Sequence, residues 1–194
     1  MTVLSRYCAA VGILVGCLVT GSCADLPKGD GATNSGNPPR ALNEWRSLAE
    51  QGFAEAQFIL GRMYAEGQDV AQDYPEAVRW FRRAADQGDP RAQFSLGVFY
   101  DNGQGVPKDY AEAARWYRRA AEQGNPRAQN NLGLMYELGH SMAEDYIQAH
   151  VWFSLAATQG LAAAVKNRNR LEKKMTLAQI LEAQILARER TTAQ

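Results

Sequence analysis

Apolar side chains recur at helical spacing through most of the chain. Two such runs lie between residues 53 and 88, and each places its apolar positions on one face of a helix. The first run holds Ala56, Leu60, Met63 and Tyr64, and the second holds Ala77, Trp80, Phe81, Ala84 and Ala85. The pattern predicts two amphipathic helices joined by a turn.

The same pair of runs returns every 36 residues. Identical residues at this interval are Gly61, Gly97 and Gly133, Tyr64, Tyr100 and Tyr136, Trp80, Trp116 and Trp152, and Gly88, Gly124 and Gly160. The register predicts three helix pairs at 53–88, 89–124 and 125–160. One pair cannot bury its apolar face alone, so stacked antiparallel pairs sharing a continuous core are expected. The fold class is therefore all-α, a solenoid.

Shorter segments flank the three units. Residues 41–52 match the end of a second helix and predict a half-repeat helix. Residues 161–194 predict a degenerate first helix, with Arg168 and Asn169 where leucine and glycine are expected, followed by a C-terminal capping helix. Thr176 and Gln179 have the spacing of a capping box at the start of that last helix.

Glycine and tryptophan have structural interpretations here. A glycine inside the first helix costs about 1 kcal/mol relative to alanine, so its recurrence indicates close packing of two backbones. The three tryptophans lie among alanines at helical spacing, which favours a core position over a carbohydrate-binding platform. The arginine pairs at 82–83 and 118–119 lie near Glu76 and Glu112, and we expect a solvated, ion-paired face.

The repeated motifs are long and specific. They read Ala-Gln-x-x-Leu-Gly-x-x-Tyr, then Gly-Gln-Gly-Val-Pro-x-Asp-Tyr-x-x-Ala, then Trp-Tyr-x-x-Ala-Ala-x-Gln-Gly. This pattern resembles the Sel1-like repeat, a relative of the tetratricopeptide repeat, over 53–160. The resemblance implies a right-handed α-α superhelix whose first helices line a concave surface that binds a peptide or protein. The third unit departs from the pattern at 139–143 and at Ser154 and Leu155.

Positions that differ between units, yet point off the shared core, are the best candidates for partner contacts. The predicted contact residues are Phe58, Arg62, Phe94, Val98, Asn130, Asn131 and Leu134. By resemblance they belong to the surface lined by the first helices. A noncatalytic protein-interaction scaffold is the function this implies, and the sequence leaves the oligomeric state open.

The first 40 residues differ from the rest. Residues 1–22 have a charged start and an uncharged apolar stretch, as an export signal does. Small residues then precede Cys23, which resembles a lipoprotein signal and predicts lipidation at Cys23. Acylation at Cys17, simple cleavage after Ala24 and an uncleaved anchor remain alternatives. Residues 23–40 are rich in Gly, Pro, Asn and Ser and predict a disordered tether. The body is then expected in a bacterial cell envelope, lipid-anchored and facing the periplasm.

Composition narrows the remaining classes. Twenty-one basic residues balance twenty-one acidic ones, which argues against a nucleic-acid partner. All three cysteines lie in the first 23 residues, and the chain has two histidines. His140, near Glu144, is expected in a solvated loop, and His150 at the surface or its boundary. We expect no metal, no cofactor and no assembled nucleophile, base and orienting group. A peptidoglycan binder, or a hydrolase related to β-lactamases, is the alternative function.

Overall fold

The computed structural model describes residues 38–140 and 142–192, and within them the regular secondary structure is all α-helix. The helices are α1 (Pro38–Glu50), α2 (Ala54–Glu66), α3 (Tyr74–Asp86), α4 (Pro90–Asn102), α5 (Tyr110–Glu122), α6 (Pro126–Leu138), α7 (Tyr146–Thr158), α8 (Ala162–Glu172) and α9 (Leu177–Thr192). The predicted signal, Cys23 and most of the predicted tether lie outside the described residues. Helix α1 begins at Pro38, three residues before the expected start at 41.

Consecutive helices pack against each other along the whole array. Helices α2 and α3, α4 and α5, and α6 and α7 form the three predicted pairs, and each second helix also packs against the next first helix. The buried clusters follow one another along this stack, each built from neighbouring pairs. The predicted solenoid of stacked antiparallel helix pairs is confirmed.

Local signals place the helix ends. The side chains of Asp73, Asp109 and Asp145 accept hydrogen bonds from backbone N–H groups in the first turns of α3, α5 and α7. After these helices the chain turns at Gly88, Gly124 and Gly160, whose φ angles are 94°, 85° and 84°. These left-handed angles favour glycine, so each second helix ends at a fixed residue. The predicted capping box also forms, with Thr176 and Gln179 bonded reciprocally.

A buried glutamine joins each unit to the one before it. The Nε2 atoms of Gln57, Gln93 and Gln129 donate to the carbonyl oxygens of Ala49, Ala85 and Ala121, over 3.0, 3.2 and 3.1 Å. Their Oε1 atoms accept from Gln87, Gln123 and Gln159, at the end of the same unit's second helix, over 2.7, 2.7 and 2.9 Å. Valine occupies the fourth equivalent position, 165, so this glutamine clamp stops after three units.

The repeated glycines and tryptophans are core residues, as predicted. A Cβ added at Gly61, Gly97 or Gly133 would lie 2.7, 2.4 or 2.7 Å from the ring of Phe81, Tyr117 or Phe153. All three tryptophans are buried. The arginine pairs contact aromatic side chains. The second arginine of each pair, Arg83 or Arg119, lies over the ring of Trp80 or Trp116. The first, Arg82 or Arg118, donates a hydrogen bond to the hydroxyl of Tyr100 or Tyr136. Glu76 and Glu112 pair instead with Arg79 and Arg115.

The last helix packs against the outer side of α7 rather than continuing the stack. In the first two units this side carries arginines, at 79, 83, 115 and 119, whereas α7 has the buried residues Val151 and Leu155 there. Ala183 and Ala187 of α9 pack into the same cluster. The guanidinium of Arg190 lies 4.5 Å above the Trp152 ring and takes the place that Arg83 and Arg119 have in earlier units.

Candidate functional site: the open face of the first helices

The first helices have one side that their own second helices leave uncovered. We call this the first-helix face and define it by the predicted contact residues on α2, α4 and α6. Neighbouring first helices lie side by side, since α4 contacts α6, and α6 contacts α8. The face therefore runs across successive units and continues onto α8.

The part of the face formed by α2 and α4 is aromatic. The Phe58 ring lies 5.9 Å from the ring of Phe81, and the Phe94 ring lies 6.0 Å from that of Tyr117. Phe58 and Phe94 are half-buried, because their inner edges contact the second helix. Val98 is half-buried on the same helix as Phe94, whereas Arg62 is exposed and pairs with Glu66.

Arg91 covers the first of these rings. Its guanidinium lies 4.6 Å from the centre of the Phe58 ring and also forms a 2.7 Å ion pair with Asp89. Burial alone would raise the pKa of Asp89, but hydrogen bonds from the Arg91 side chain and backbone bring that pKa below its usual value. Asp89 thus holds Arg91 over Phe58 while also capping α4.

The middle of the face is polar. The amide of Asn167 donates to Asn130 over 2.9 Å, and Asn130 donates to Asn131 over 3.3 Å. Asn131 also bonds the hydroxyl of Tyr117, and this hydroxyl donates to the Asp101 carboxylate over 3.4 Å. Burial is the main reason that the pKa of Tyr117 lies well above its usual value, so this hydroxyl stays protonated.

The α8 end of the face is basic. Glu137 of α6 is buried and accepts hydrogen bonds from Arg170 over 2.5 Å and from Lys174 over 3.1 Å. Lys166 is exposed on the same helix as Arg170. Two cations therefore meet one carboxylate, which leaves this end with excess positive charge.

The predicted contact residues differ in accessibility. Phe58, Phe94, Val98, Asn131 and Leu134 are half-buried, and Arg62 is exposed. Asn130 is only 8% exposed, and its amide is already bonded on both sides. It lies in the floor of the first-helix face, beneath the accessible positions. Asn167 and Tyr117 join the same polar group, although the unit-to-unit comparison of sequence does not select them.

His150 does not lie at the surface, and that expectation is wrong. The side chain is 1% exposed because α8 covers it: its Nε2 atom lies 2.9 Å from Glu172, and its Nδ1 atom lies 3.3 Å from Ser154 Oγ. A carboxylate only accepts hydrogen bonds, so the ring donates from Nε2 to Glu172. The sequence does not predict that Ser154, His150 and Glu172 lie together, because Glu172 belongs to the degenerate first helix, where the repeat pattern is lost.

The hydrogen bonds of Ser154, His150 and Glu172 replace a contact of the earlier units. There, an arginine of one helix donates to a tyrosine hydroxyl 18 residues later, as in Arg46 to Tyr64 over 3.0 Å. The equivalent positions at the end of the array are 154 and 172. Ser154 lies within α7, where neighbouring backbone N–H groups are bound in the helix and do not offer an oxyanion site. His150 is buried as well, and its hydrogen bond to Glu172 joins α7 to α8.

The other histidine, His140, lies half-buried in the turn after α6. The His140 ring stacks on Tyr110, with 4.5 Å between ring centres. Across residues 38–140 and 142–192, no three His, Cys, Asp or Glu side chains converge as metal ligands. A shallow cavity of about 320 Å³ has Glu144 and Asp145 in its lining, but Asp145 is engaged in capping α7. Within these residues, no helix has the length and apolarity to cross a bilayer.

Known proteins match both the repeat and the fold. The Sel1 repeat model matches residues 54–89, 90–125 and 126–161. No curated protein sequence matches the chain. Among solved structures, a Sel1 repeat protein from Oxalobacter formigenes is 44% identical, with a TM-score of 0.63, over 68% of this chain and 98% of that one.

Two further structures extend the comparison. The protective antigen c5321 of uropathogenic Escherichia coli, which has an SLR fold, is 34% identical with a TM-score of 0.60. That match covers 82% of this chain and 42% of the antigen. Helicobacter pylori cysteine rich protein B has the same fold at 19% identity, with a TM-score of 0.53 over 66% of this chain and 92% of that one. The family model covers more than half of the sequence, and the chain belongs to the Sel1 repeat family.

Proposed function

We propose that this protein is a noncatalytic scaffold that binds a peptide or a protein on the first-helix face, and that it does so in the bacterial cell envelope. Sel1 repeat proteins generally act as protein-interaction scaffolds. The finer proposal concerns which surface binds and where the protein resides.

The observation that carries the proposal is the contrast between constant and variable positions. Residues that repeat in every unit are used in packing: the glutamines at 57, 93 and 129, the glycines at 61, 97 and 133 and the tryptophans are all buried. The first-helix face changes from aromatic at α2 and α4 to amide-rich at α6 and basic at α8. A surface that packing leaves free to vary is suited to one particular partner.

The mechanism is recognition by a preformed surface. Each unit is fixed to the next by buried hydrogen bonds and by aromatic rings, so little ordering is needed when a partner binds. Phe94 offers a half-buried ring for an apolar anchor of the partner, whereas the Phe58 ring is covered by the Arg91 guanidinium. Asn131 and Lys166 offer polar contacts further along, so the face distinguishes the two ends of a bound segment.

The location rests on the sequence alone. An apolar stretch at 7–20 followed by small residues and Cys23 supports export and lipidation, with residues 24–37 as the link to α1. Metabolic labelling with a palmitate analogue, compared between the parent and Cys23→Ser, tests this part. Labelling that persists in Cys23→Ser but disappears in Cys17→Ser would move the anchor to Cys17.

The binding surface is tested by photo-crosslinking in intact cells. A benzoyl-phenylalanine residue is placed at position 62 or 98 on the first-helix face. Control positions are 79 and 115, whose arginines are at least as exposed as positions 62 and 98 but lie on the second helices. We expect the same partner to be captured from 62 and 98, with no capture from 79 and 115.

Binding of the captured partner by purified protein completes the test. Phe94→Ala should weaken binding without unfolding the chain, because Phe94 is half-buried at the edge of the core. Equal capture from both sides, or a partner whose affinity Phe94→Ala leaves unchanged, would contradict the proposed surface. Turnover of a chromogenic β-lactam that is lost in Ser154→Ala would instead support the hydrolase alternative.

A further inference from the structure

One line of residues on each first helix belongs to the first-helix face, and its chemistry changes along the array. The line consists of the positions equivalent to 58, 62 and 66, which are four residues apart and recur every 36 residues. On α4 they are Phe94, Val98 and Asn102, on α6 they are Asn130, Leu134 and Leu138, and on α8 and just after it they are Lys166, Arg170 and Lys174. The line therefore changes from apolar at α4 to cationic at α8.

Two leucines of α6 lie next to the cationic part of this line. Leu138 is 59% exposed, so it contributes little to the core. Leu134 is half-buried, as is Val98 at the equivalent position of the neighbouring first helix. Leu138 directly follows Glu137, which bonds Arg170 and Lys174. An accessible apolar patch therefore borders the cations of α8.

Glu137 holds two of these cations side by side. Its two carboxylate oxygens accept one hydrogen bond each, from Arg170 over 2.5 Å and from Lys174 over 3.1 Å. The Glu137 side chain is 2% exposed, whereas those of Arg170 and Lys174 are 53% and 47% exposed. A guanidinium has five N–H donors and an ammonium has three, so both groups keep donors for a further acceptor. The buried carboxylate fixes their positions without occupying their solvent-facing sides.

The positive charge on this line is not cancelled. Lys166 is exposed, and no acid of the described chain forms an ion pair with it. Three cations therefore oppose the single carboxylate of Glu137. Three other acids near α8 have different contacts, to Arg168, to the Tyr146 hydroxyl and to the α7 backbone: Glu172, Glu144 and Asp145. At the α2 end of the face, by contrast, Arg62 is balanced by Glu66.

We propose that the first-helix face binds an acidic peptide segment, whose carboxylates lie against the α8 cations and whose large apolar side chain lies against Leu134 and Leu138. This inference rests on the proposed function and names the chemistry of the partner. Cations that are already held in place need little ordering to accept a carboxylate. A nucleic acid fits less well, because an exposed leucine offers nothing to a phosphate and the chain as a whole is neutral.

Selection from a peptide library tests this specificity without a known partner. The full chain is immobilised and used to select short random peptides displayed on phage. We expect the enriched sequences to carry several Asp or Glu close to a Leu, Ile, Met or Phe. One enriched peptide is then labelled with fluorescein, and its affinity is measured by fluorescence anisotropy. The same peptide with amides in place of its acids should bind much more weakly.

Two charge reversals show where the peptide binds. Lys166→Glu changes an exposed residue that has no ion pair to lose, and its matched control is Arg188→Glu, at an exposed residue of α9 on the side of the second helices. We expect Lys166→Glu to lower the affinity about three- to tenfold, because an attraction becomes a repulsion. Arg188→Glu should leave it unchanged. Leu138→Gln should lower it about threefold, and added salt should weaken binding to the parent.

Four results would overturn the acidic segment as the ligand: enrichment of peptides without acids, no enrichment, equal effects of Lys166→Glu and Arg188→Glu, or unchanged affinity in Leu138→Gln. An oligonucleotide that binds the parent more tightly than the selected peptide would identify a phosphate backbone as the ligand instead.

The proposed function can fail separately. A partner captured in cells from positions 62 and 98, and captured equally well in a Lys166→Glu background, would refute the acidic segment and leave the scaffold intact. Peptide binding that is lost in Lys166→Glu, without any capture from 62 or 98 in cells, would refute the proposed function alone.

Discussion

Replacing Gly97 with alanine tests whether the first and second helices approach closely because one side chain is missing. The new Cβ would lie 2.4 and 2.5 Å from Cδ1 and Cε1 of Tyr117, where ordinary contacts begin near 3.4 Å. The Tyr117 ring is buried, and its hydroxyl bonds Asp101. The ring is therefore held from both ends, and about 1 Å of separation must come from movement of the helices.

Two effects of opposite sign decide the outcome. Alanine is favoured over glycine within a helix by about 1 kcal/mol. Overpacking of a core costs about 1 to 3 kcal/mol, and a contact this short belongs at the upper end. We expect Gly97→Ala to lower the free energy of unfolding by about 1 to 2 kcal/mol. For a chain of this size, the melting temperature then falls by about 2 to 8 °C.

Thermal unfolding followed by circular dichroism measures the effect, and a double-mutant cycle identifies its cause. In a Tyr117→Leu background the ring is gone, so Gly97→Ala should become neutral or stabilising. Gly61→Ala and Gly133→Ala, with closest ring distances of 2.7 Å, should cost less than Gly97→Ala. Stabilisation by Gly97→Ala, or an equal cost in both backgrounds, would refute the packing argument.

Three further predictions concern polar groups. Gln93→Leu breaks one glutamine clamp and should lower the free energy of unfolding in urea by about 1 to 2 kcal/mol. The control Gln51→Leu, at an exposed glutamine whose side chain bonds Ser47, should be nearly neutral. Equal effects of the two substitutions would contradict the clamp. Glu137→Gln leaves Arg170 and Lys174 without their carboxylate and should speed amide exchange in α8, but not in α2; unchanged exchange would show that the ion pairs do not hold α8. Because its folded-state pKa is lowered, Asp89 stabilises the fold above its unfolded pKa of about 3.9, and that contribution disappears as pH falls through the lower folded value. Asp89→Asn should keep the cap, because Asn125 caps α6 in the same way. The stability difference between parent and variant should therefore shrink below about pH 4. A difference that stays constant with pH would contradict this link between protonation and stability.

The repeated part of the fold is predictable from the sequence because the same local signals occur in all three units. The capping aspartates, the closing glycines and the packing glycines recur at fixed intervals, and each has a local physical cause. Even the glycine contacts with Phe81, Tyr117 and Phe153 follow once the two helices of a unit are paired. Periodicity also marks the variable positions of the first-helix face, although it does not show that Asn130 is buried in its floor.

The last part of the array is less predictable because its contacts occur once. Nothing in the spacing of residues 177–192 indicates that the helix packs on the outer side of α7, since that contact joins segments with no repeated register. The burial of His150 follows from the same cause: its partner Glu172 takes the place of a repeated tyrosine, so the comparison between units points away from it. For these residues the coordinates are needed.

The departures in α7 explain how the array ends. Val151 and Leu155 replace arginines that cover the outer side of each earlier second helix, at 79, 83, 115 and 119. Without those arginines the outer side of α7 is apolar, and α9 packs there through alanines, with Arg190 supplying the cation above Trp152. Helix α8 is meanwhile left without a second helix of its own, and it has Arg168 and Asn169 where a further unit needs leucine and glycine. The substitutions in α7 therefore create the seat for α9, and those in α8 remove the packing positions that a further unit needs. Since Ala183 and Ala187 face inward with Leu186, the aliphatic residues Leu177, Leu181 and Ile185 of α9 are directed outward.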